Sequence, residues 1–388
     1  MSASKVAGMT CTRLRTLPQV LSYPPMEPVR LDVTAGSRTS TIWIGDGAAD
    51  SAAATLDAHQ IGAKRFIVSS PVIWRFHGPQ LQRLIGTAEP ILIPDGERFK
   101  TLQTVSRIYE PLIRAGADRG STLIAVGGGV VGDTAGFAAA TFLRGITLVH
   151  IPTTLLAQVD SSVGGKVGVN HALGKNLIGA FHQPELVIID PALLRTLPRR
   201  EFRSGLYEVV KYGMIASRAL FERVARNTTA IFARDPAVLI PLIVESCRIK
   251  ADVVSQDERE SGLRRILNYG HTIGHALESV TRYRRFRHGE AIAYGMLAAA
   301  DLAVARGALA ELERQALARL ITELGPLPAV TDLSIAEIMD AVRRDKKVVN
   351  GKLHFVIAIQ IGATLTIDDV TEDELKAVLG RMGLTEGT

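Results

Sequence analysis

The chain has 388 residues, of which 47% are hydrophobic and 22% charged, and it carries a formal net charge of +6. These proportions exclude wholesale disorder, and the length suits about two domains. The most apolar stretch, Ala291 to Ala305, is interrupted by Asp301; a membrane span needs roughly 20 apolar residues, so no membrane partner is expected. Basic residues are mixed with acids except at Arg282, Arg284, Arg285 and Arg287. No nucleic-acid recognition motif or aromatic platform accompanies them, so no nucleic-acid partner is expected. The charge fits a solvated surface or an enzyme with polyanionic ligands. Cys11 and Cys247 are far apart and form no CxxC pair, which points to a reducing, cytoplasmic setting.

Residues 1–28 hold Lys5, Arg13 and Arg15 but no clean apolar core. They read as a disordered extension, with a transit peptide as the alternative. From there the pattern alternates. Strands are expected at Val29–Val33, Thr41–Ile44, Arg65–Ser69, Ile91–Pro94, Thr122–Val126, Thr147–Ile151 and Leu186–Ile189. The first two are separated by Ala35-Gly36-Ser37 and could form a hairpin. Helical patterns fall at Asp50–Ala58, Leu102–Ala115 and Thr134–Phe142. Such alternation predicts βαβ units and a mainly parallel sheet over residues 29–190. Beyond Asp190 long helical patterns dominate: Arg200–Ile215, Arg218–Ala233, Pro236–Asp252, Gly262–Glu278, Gly289–Arg306, Glu311–Leu324 and Ile335–Arg344. Strand signal returns only at His354–Ala358 and Ala363–Ile367, so residues 191–388 are expected to form a mostly α-helical domain.

Between Thr122–Val126 and the following helix stands Gly127-Gly128-Gly129-Val130-Val131-Gly132-Asp133. Its glycines fit G-x-G-x-x-G in a strand–turn–helix context, which makes the first domain Rossmann-like. Glycines let backbone approach a pyrophosphate, and a helix N-terminus offers unpaired N–H groups. No acid follows about 20 residues on to hold a ribose. Asp95 and Glu97, in the loop Asp95–Lys100 after another strand, could do so. Thr153 and Thr154 sit after the strand ending at Ile151 and suit a nucleotide lying along the sheet edge, or simply a helix cap. The stretch from Gln158 to Asn170, followed by Lys175 and Asn176, is rich in glycine, hydroxyls and lysine and reads as a long ordered loop. Loops of that length are usually functional, and this one suits a phosphate or a polyhydroxyl carboxylate.

The helical part holds a second constellation. Glu208 and Lys211 are spaced i, i+3, and His271 and His275 i, i+4; His288 opens His288-Gly289-Glu290. Two histidines and a carboxylate make a normal open metal set, but the segment lacks the Glu of H-E-x-x-H, so metalloprotease chemistry is not indicated. Arg264, Asn268 and His271 are spaced as neighbours on one helical face. Lys250 lies on the preceding pattern. Arg343-Arg344-Asp345-Lys346-Lys347, alone, reads as a solvated charge run.

Taken together, GGGVVGDTAGFAAATFLRG, IPTTLLAQVDSSVGGKVGVNHALGKNLIGAFHQP, SGLYEVVKYG, LRRILNYGHTIGHALE, HGEAIAYGM and DKK resemble, in order and spacing, the 3-dehydroquinate synthase family of sugar phosphate cyclases. The resemblance implies a cytoplasmic, homodimeric, NAD- and metal-dependent lyase. Its substrate would be 3-deoxy-D-arabino-heptulosonate 7-phosphate, and its products 3-dehydroquinate and phosphate. Hydride would leave a ring alcohol, phosphate would depart by elimination, hydride would return, and ring opening and an aldol closure would follow.

The resemblance assigns Glu208, His271 and His288 to one Zn or Co ion. It assigns Asp95, Glu97, Lys100, Gly129, Val130, Val131, Gly132, Asp133, Thr153, Thr154, Lys166, Lys175, Leu193, Leu194, Arg195 and Thr196 to the nucleotide. Substrate would meet Asp160, Lys166, Asn176, Lys211, Lys250, Arg264, Asn268, His275 and one or both of Lys346 and Lys347. Lys166, Lys211, Lys250, Arg264, Asn268 and His275 would form the catalytic group, with Lys250 or Arg264 holding the substrate carboxylate. Arg144 would reach the phosphate in the neighbouring subunit. Tyr269 and His182 depart from the usual pattern at positions with no chemical role. Sister cyclases making 2-deoxy-scyllo-inosose or an epi-valiolone, whose substrates lack the carboxylate, are the nearest rivals. A glycerol-dehydrogenase-like metal alcohol dehydrogenase is the next.

Overall fold

The computed structural model describes residues 27–386 except 37, 63, 86–88, 261, 345–347 and 350–351. Residues 1–26 of the expected extension, and Lys346 and Lys347, lie outside the described residues. The first half runs β1 (Val29–Ala35), β2 (Arg38–Ile44), α1 (Ala52–Ala58), β3 (Arg65–Ser69), α2 (Pro71–Ile85), β4 (Ile91–Leu92), α3 (Leu102–Arg114), β5 (Thr122–Gly127), α4 (Gly129–Thr141), β6 (Thr147–Pro152), β7 (Lys166–His171), β8 (Gly174–Phe181) and β9 (Leu186–Ile189).

Seven of these strands form one sheet in the order β1-β2-β9-β6-β5-β3-β4. All pairings are parallel except β1 with β2, which is the antiparallel hairpin left open by the sequence. β5 and β9 are buried along their whole length; helices cover both faces, which is why these strands read as unbroken apolar runs. β3 and β4 lie to one side of β5, and β6 and β9 to the other. The strand order therefore reverses between β3 and β5, which opens a crevice at their carboxyl ends. The turn from β5 into α4 sits there.

Three local expectations are corrected. α4 begins at Gly129, not Thr134, so the glycines form its first turn. α2 was not foreseen, because Gly78 and Pro79 break its pattern. The stretch read as a loop contains a π-turn at Ala157–Ser161 and the antiparallel ribbon β7–β8. Its strand signal is weak because the ribbon needs small residues. Gly168 pairs with Gly179, and a Cβ on Gly168 would stand 2.6 Å from the Ile178 carbonyl oxygen. A Cβ on Gly136 of α4 would stand 2.4 Å from Val167.

The second half continues through a 3-10 turn at Pro191–Thr196 to α5 (Arg199–Ala216), α6 (Arg218–Arg226), α7 (Thr228–Phe232), α8 (Pro236–Gln256), α9 (His271–Val280), α10 (His288–Ala305), α11 (Glu311–Leu324), α12 (Ile335–Arg343), the short strands β10 (Val348–Val349), β11 (Lys352–Leu353), β12 (Phe355–Gln360) and β13 (Ala363–Ile367), and α13 (Glu372–Arg381). Its apolar core is continuous with Val33, Ile42 and Ile44 of the β1–β2 hairpin. α10, rich in alanine and glycine, packs backbone to backbone: a Cβ on Gly289 would lie 1.9 Å from the Ser204 carbonyl oxygen of α5.

The helix expected over Gly262–Glu278 is split. A 3-10 segment, Leu263–Asn268, ends at Tyr269, and Gly270 takes φ +78° before α9 begins. A side chain there would meet α10 backbone as well as an unfavourable dihedral. Arg264, Asn268 and His271 therefore do not share one helix face. The helix expected over Arg218–Ala233 is likewise divided at Asn227, whose side chain bonds back to the Arg223 carbonyl.

Candidate active site

Glu208 projects from α5, while His271 and His288 are the first residues of α9 and α10. The break at Gly270 places His271. His288 is placed by Glu290, whose carboxylate accepts from Arg287 N (2.9 Å) and is gripped by Arg200 at 2.8 and 2.7 Å and by Arg203 at 3.2 Å. Nε2 of His271 and of His288 lie 3.7 and 3.4 Å from Glu208 Oε1. The three donor atoms fall within 4.8 Å of one another.

Lys211 Nζ approaches Glu208 Oε2 to 2.5 Å, yet both Glu208 oxygens are buried and accept no well-formed hydrogen bond. Burial works against the Glu208 carboxylate, but Lys211 and His288 outweigh it and hold its pKa below the usual value. Burial opposes charge on His288 as well, yet Glu278 and Glu208 push its pKa up to about 10. A fully buried carboxylate that accepts no well-formed hydrogen bond is costly. Two imidazole nitrogens aimed at it complete a three-donor set with room for further ligands, and this chemistry fits a divalent ion.

Behind the cluster, Asp160 on the π-turn accepts from Lys250 Nζ (2.6 Å) and Tyr212 Oη (2.7 Å). Burial disfavours its ionised form, but Lys250 and Lys211 prevail and keep Asp160 far below the normal carboxylate range. Burial, only partly offset by Asp160, lowers the Lys250 pKa. Asp133, Lys166, Asn176, Asn268, His275 and His288 line one cleft of about 910 Å³ between the β7–β8 ribbon and the helices of the second half.

On the sheet side, α4 starts without a side-chain cap, so its first N–H groups face the crevice. A Cβ on Gly128 would meet Thr154 Cγ2 at 2.9 Å, and one on Gly129 would meet Ser161 Oγ at 3.2 Å. This glycine cradle fits a dinucleotide phosphate. Lys100 Nζ donates to Asp133 Oδ2 and Asn176 Oδ1, both at 2.5 Å. Glu97 accepts from Asn170 (2.8 Å) and pairs with Lys175 at 3.7 Å. Thr153 N bonds the Gly127 carbonyl, and Thr154 Oγ1 accepts from Ala157 N. Gly132 and Val130 are on the first turns of α4, whereas Val131 is buried in the core.

Not every expected residue converges. Leu193 and Leu194 are buried in the apolar cores, so that turn can offer a nucleotide only its backbone and the exposed Arg195 and Thr196. Asp95 is exposed on its loop, and Arg144 is exposed after α4 at φ +67°. Arg264 is 2% exposed. Its Nη1 donates to the Glu258 carbonyl (2.5 Å) and its Nη2 to that of Gly164 (3.2 Å). Lys166 and Asn268 do reach the cleft, where they share one carboxylate: Asn268 Nδ2 donates to Glu260 Oε1 (2.5 Å), and Lys166 forms an ion pair with Glu260.

Sequence reasoning missed Glu260, Glu278 and Tyr212. Glu278 was within reach, three residues after His275 on the same face; Glu260, on an irregular segment, carried no signal. The backbone carbonyl at Tyr269, which any residue there would supply, meets His271 Nδ1 at 3.1 Å.

Among solved structures, the fold is similar to 2-epi-5-epi-valiolone synthase ValA from Streptomyces hygroscopicus subsp. jinggangensis 5008, solved with NAD+ and Zn2+ bound (TM-score 0.82, 25% identity, covering 90% of this chain and 98% of that one). It is also similar to 2-deoxy-scyllo-inosose synthase, solved with carbaglucose-6-phosphate, NAD+ and Co2+ (TM-score 0.81, 28% identity, 91% and 99% covered). A probable glycerol dehydrogenase from Sinorhizobium meliloti 1021 shares the fold alone (TM-score 0.59, 19% identity, 87% and 95% covered). Fold and site thus define the class of sugar phosphate cyclases.

Within that class the match is specific. The model for the 3-dehydroquinate synthase N-terminal region matches residues 90–204, and that for its C-terminal region matches 205–348. A 3-dehydroquinate synthase from Acaryochloris marina (strain MBIC 11017) is 44% identical over 92% of this chain and 96% of its own length. One from Synechococcus sp. (strain ATCC 27144 / PCC 6301 / SAUG 1402/1) is 51% identical over 82% and 88%. The chain belongs to the 3-dehydroquinate synthase family. Among the described residues, no helix is long and apolar enough to cross a membrane.

Proposed function

We propose that this chain converts 3-deoxy-D-arabino-heptulosonate 7-phosphate into 3-dehydroquinate and phosphate, as a cytoplasmic homodimer holding NAD and one divalent ion, Zn or Co. The observation that carries this reading is the Glu208–His271–His288 set, built on a buried carboxylate, whose His288 lines the same cleft as Asp133 on the first turns of α4, in a chain of this family. When bound, NAD supplies a reversible hydride acceptor and the ion a Lewis acid. Glu208, His271 and His288 hold the ion. The α4 N-terminus from Gly129 to Asp133, Thr153, Thr154, the Asp95–Lys100 loop, Lys175 and the backbone of Leu193–Thr196 hold the nucleotide.

Chain residues do the rest. Lys166, Asn176, Asn268 and His275, together on the cleft wall, hold the phosphate and stabilise the charge it gathers on leaving. Asp160, kept ionised by Lys250 and Lys211, accepts hydrogen bonds from ring hydroxyls. Lys250 and Arg264 flank the carboxylate, which the sister cyclases' substrates lack. In the homodimer, the exposed Arg144 serves the second copy's phosphate.

The test is turnover by purified protein of the heptulosonate phosphate and, separately, of glucose 6-phosphate, following phosphate release and absorbance at the NADH wavelength together. Phosphate release from the former without net NADH supports the reading. Preference for glucose 6-phosphate, or stoichiometric NADH, overturns it.

A further inference from the structure

Glu278 belongs to none of the residue sets described for ion, nucleotide or substrate. It lies on α9 seven residues beyond His271 and three beyond His275, so it faces inward with them. Its side chain is 5% exposed, and a buried carboxylate is retained only where both oxygens find partners. Here each has one. Oε2 lies 3.3 Å from His288 Nδ1, and Oε1 lies 3.3 Å from Lys175 Nζ. His288 is thereby strung between two carboxylates, with its other nitrogen, Nε2, directed at Glu208 Oε1.

His271 repeats the arrangement with a different partner: Nε2 towards Glu208, and Nδ1 against the Tyr269 carbonyl oxygen. In both rings an oxygen acceptor stands at Nδ1. An imidazole that gives its Nδ1 proton to such an acceptor keeps its lone pair on Nε2, the atom pointing into the three-donor set.

We propose that Glu278 is a positioning residue: it accepts the Nδ1–H of His288, holds that ring with Nε2 as the ligand atom, and through Lys175 ties this orientation to the β7–β8 ribbon across the cleft. The inference rests on the reading of Glu208, His271 and His288 as the metal set. The competing role for Glu278 is that of a direct ligand, because its carboxylate also falls within 4.8 Å of donor atoms of His275 and His288. The contacts favour positioning, since Glu278 meets only the Nδ1 side of His288 and holds Lys175 with its other oxygen, while Glu208 Oε1, free of any well-formed hydrogen bond, faces Nε2 of both His271 and His288.

The experiment measures Co2+ and Zn2+ affinity of the full chain by chelator competition, together with the Co2+ absorption spectrum. It compares wild type with Glu278→Gln, Glu278→Asp, Lys175→Met and His271→Ala. Glu278→Gln, which keeps size and removes the charge, should bind one ion about 10- to 100-fold more weakly with the same Co2+ coordination spectrum, as is typical when an outer partner of a ligand histidine is lost. Glu278→Asp should recover part of the affinity, and Lys175→Met should lose less than Glu278→Gln. Nitrogen-15 NMR of the zinc-loaded wild type should show the His288 proton on Nδ1. Unchanged affinity in Glu278→Gln, or a proton on Nε2, overturns the proposal. Loss of saturable binding with a changed spectrum overturns it in favour of a direct ligand. Wild-type affinity in His271→Ala would show instead that the metal reading itself fails.

Discussion

Lys250 Nζ lies 2.6 Å from Asp160 Oδ1 and 2.7 Å from the Asp160 carbonyl oxygen, so one ammonium on α8 pins the π-turn that follows β6. The ammonium is almost entirely buried. Removing one partner of such a pair leaves an uncompensated charge, at a cost of roughly 3–5 kcal/mol. Asp160→Asn should therefore destabilise strongly. Lys250→Met should cost less, because Asp160 keeps the Tyr212 hydroxyl and the charge of Lys211. Urea denaturation of both variants and of the double variant checks this; equal losses in the two singles would contradict it.

The metal set should be visible in stability as well as in activity. A ligand that binds only the folded state at 100 times its Kd stabilises it by about 2.7 kcal/mol. Chelation should lower the melting temperature of the wild type, and added zinc should restore it. His271→Ala should show lower metal content and little response to either treatment. A wild-type response in that variant would remove His271 from the site.

Arg264 should prove structural and functional at once. Its guanidinium bonds the carbonyls of Glu258 and Gly164, and each buried carbonyl left bare costs about 1–3 kcal/mol. Arg264→Ala should lower the denaturation midpoint and reduce kcat/KM for the carboxylated substrate by about 30- to 1000-fold, and Arg264→Lys should not restore the forked geometry. Steady-state kinetics beside urea melts test both halves. An unaltered midpoint would contradict the clamp.

Acid sensitivity should trace in part to His150 on β6. Burial, aided by His182, lowers its pKa from 6.5 to about 4. The folded state therefore favours neutral imidazole, and between those two values the unfolded chain binds the extra proton. Stability should be unaffected by this group above pH 6.5, fall as pH drops from 6.5 to 4, and lose no more below that, a total of about 3 kcal/mol. His150→Gln should flatten the pH dependence of the unfolding free energy in that window by about one proton. An unchanged slope would remove His150 as a cause.

Much of the backbone of the candidate nucleotide side was readable from sequence, because its determinants are local. The glycine turn before α4, the apolar runs of β5 and β9 and the hydroxyls after β6 sit on neighbouring residues whose spacing reflects backbone geometry. The identities of Glu208, His271 and His288 were readable as ligand types and matched the family's motifs. Their convergence was not, since it depends on α5, α9 and α10 packing backbone to backbone at Gly289 and Gly295. Helical spacing put Arg264, Asn268 and His271 on one face, but Gly270 adopts positive φ against α10 and cuts that helix in two. The β7–β8 ribbon was hidden because Gly168 and Gly179 lower strand propensity while leaving the room that strand meeting strand requires, as Gly136 of α4 does where the ribbon packs on that helix. Glu260 and Glu278 acquire meaning only through partners far away in the chain. Local spacing records what a backbone segment can do by itself; which buried charge faces which is decided when distant segments exclude water together.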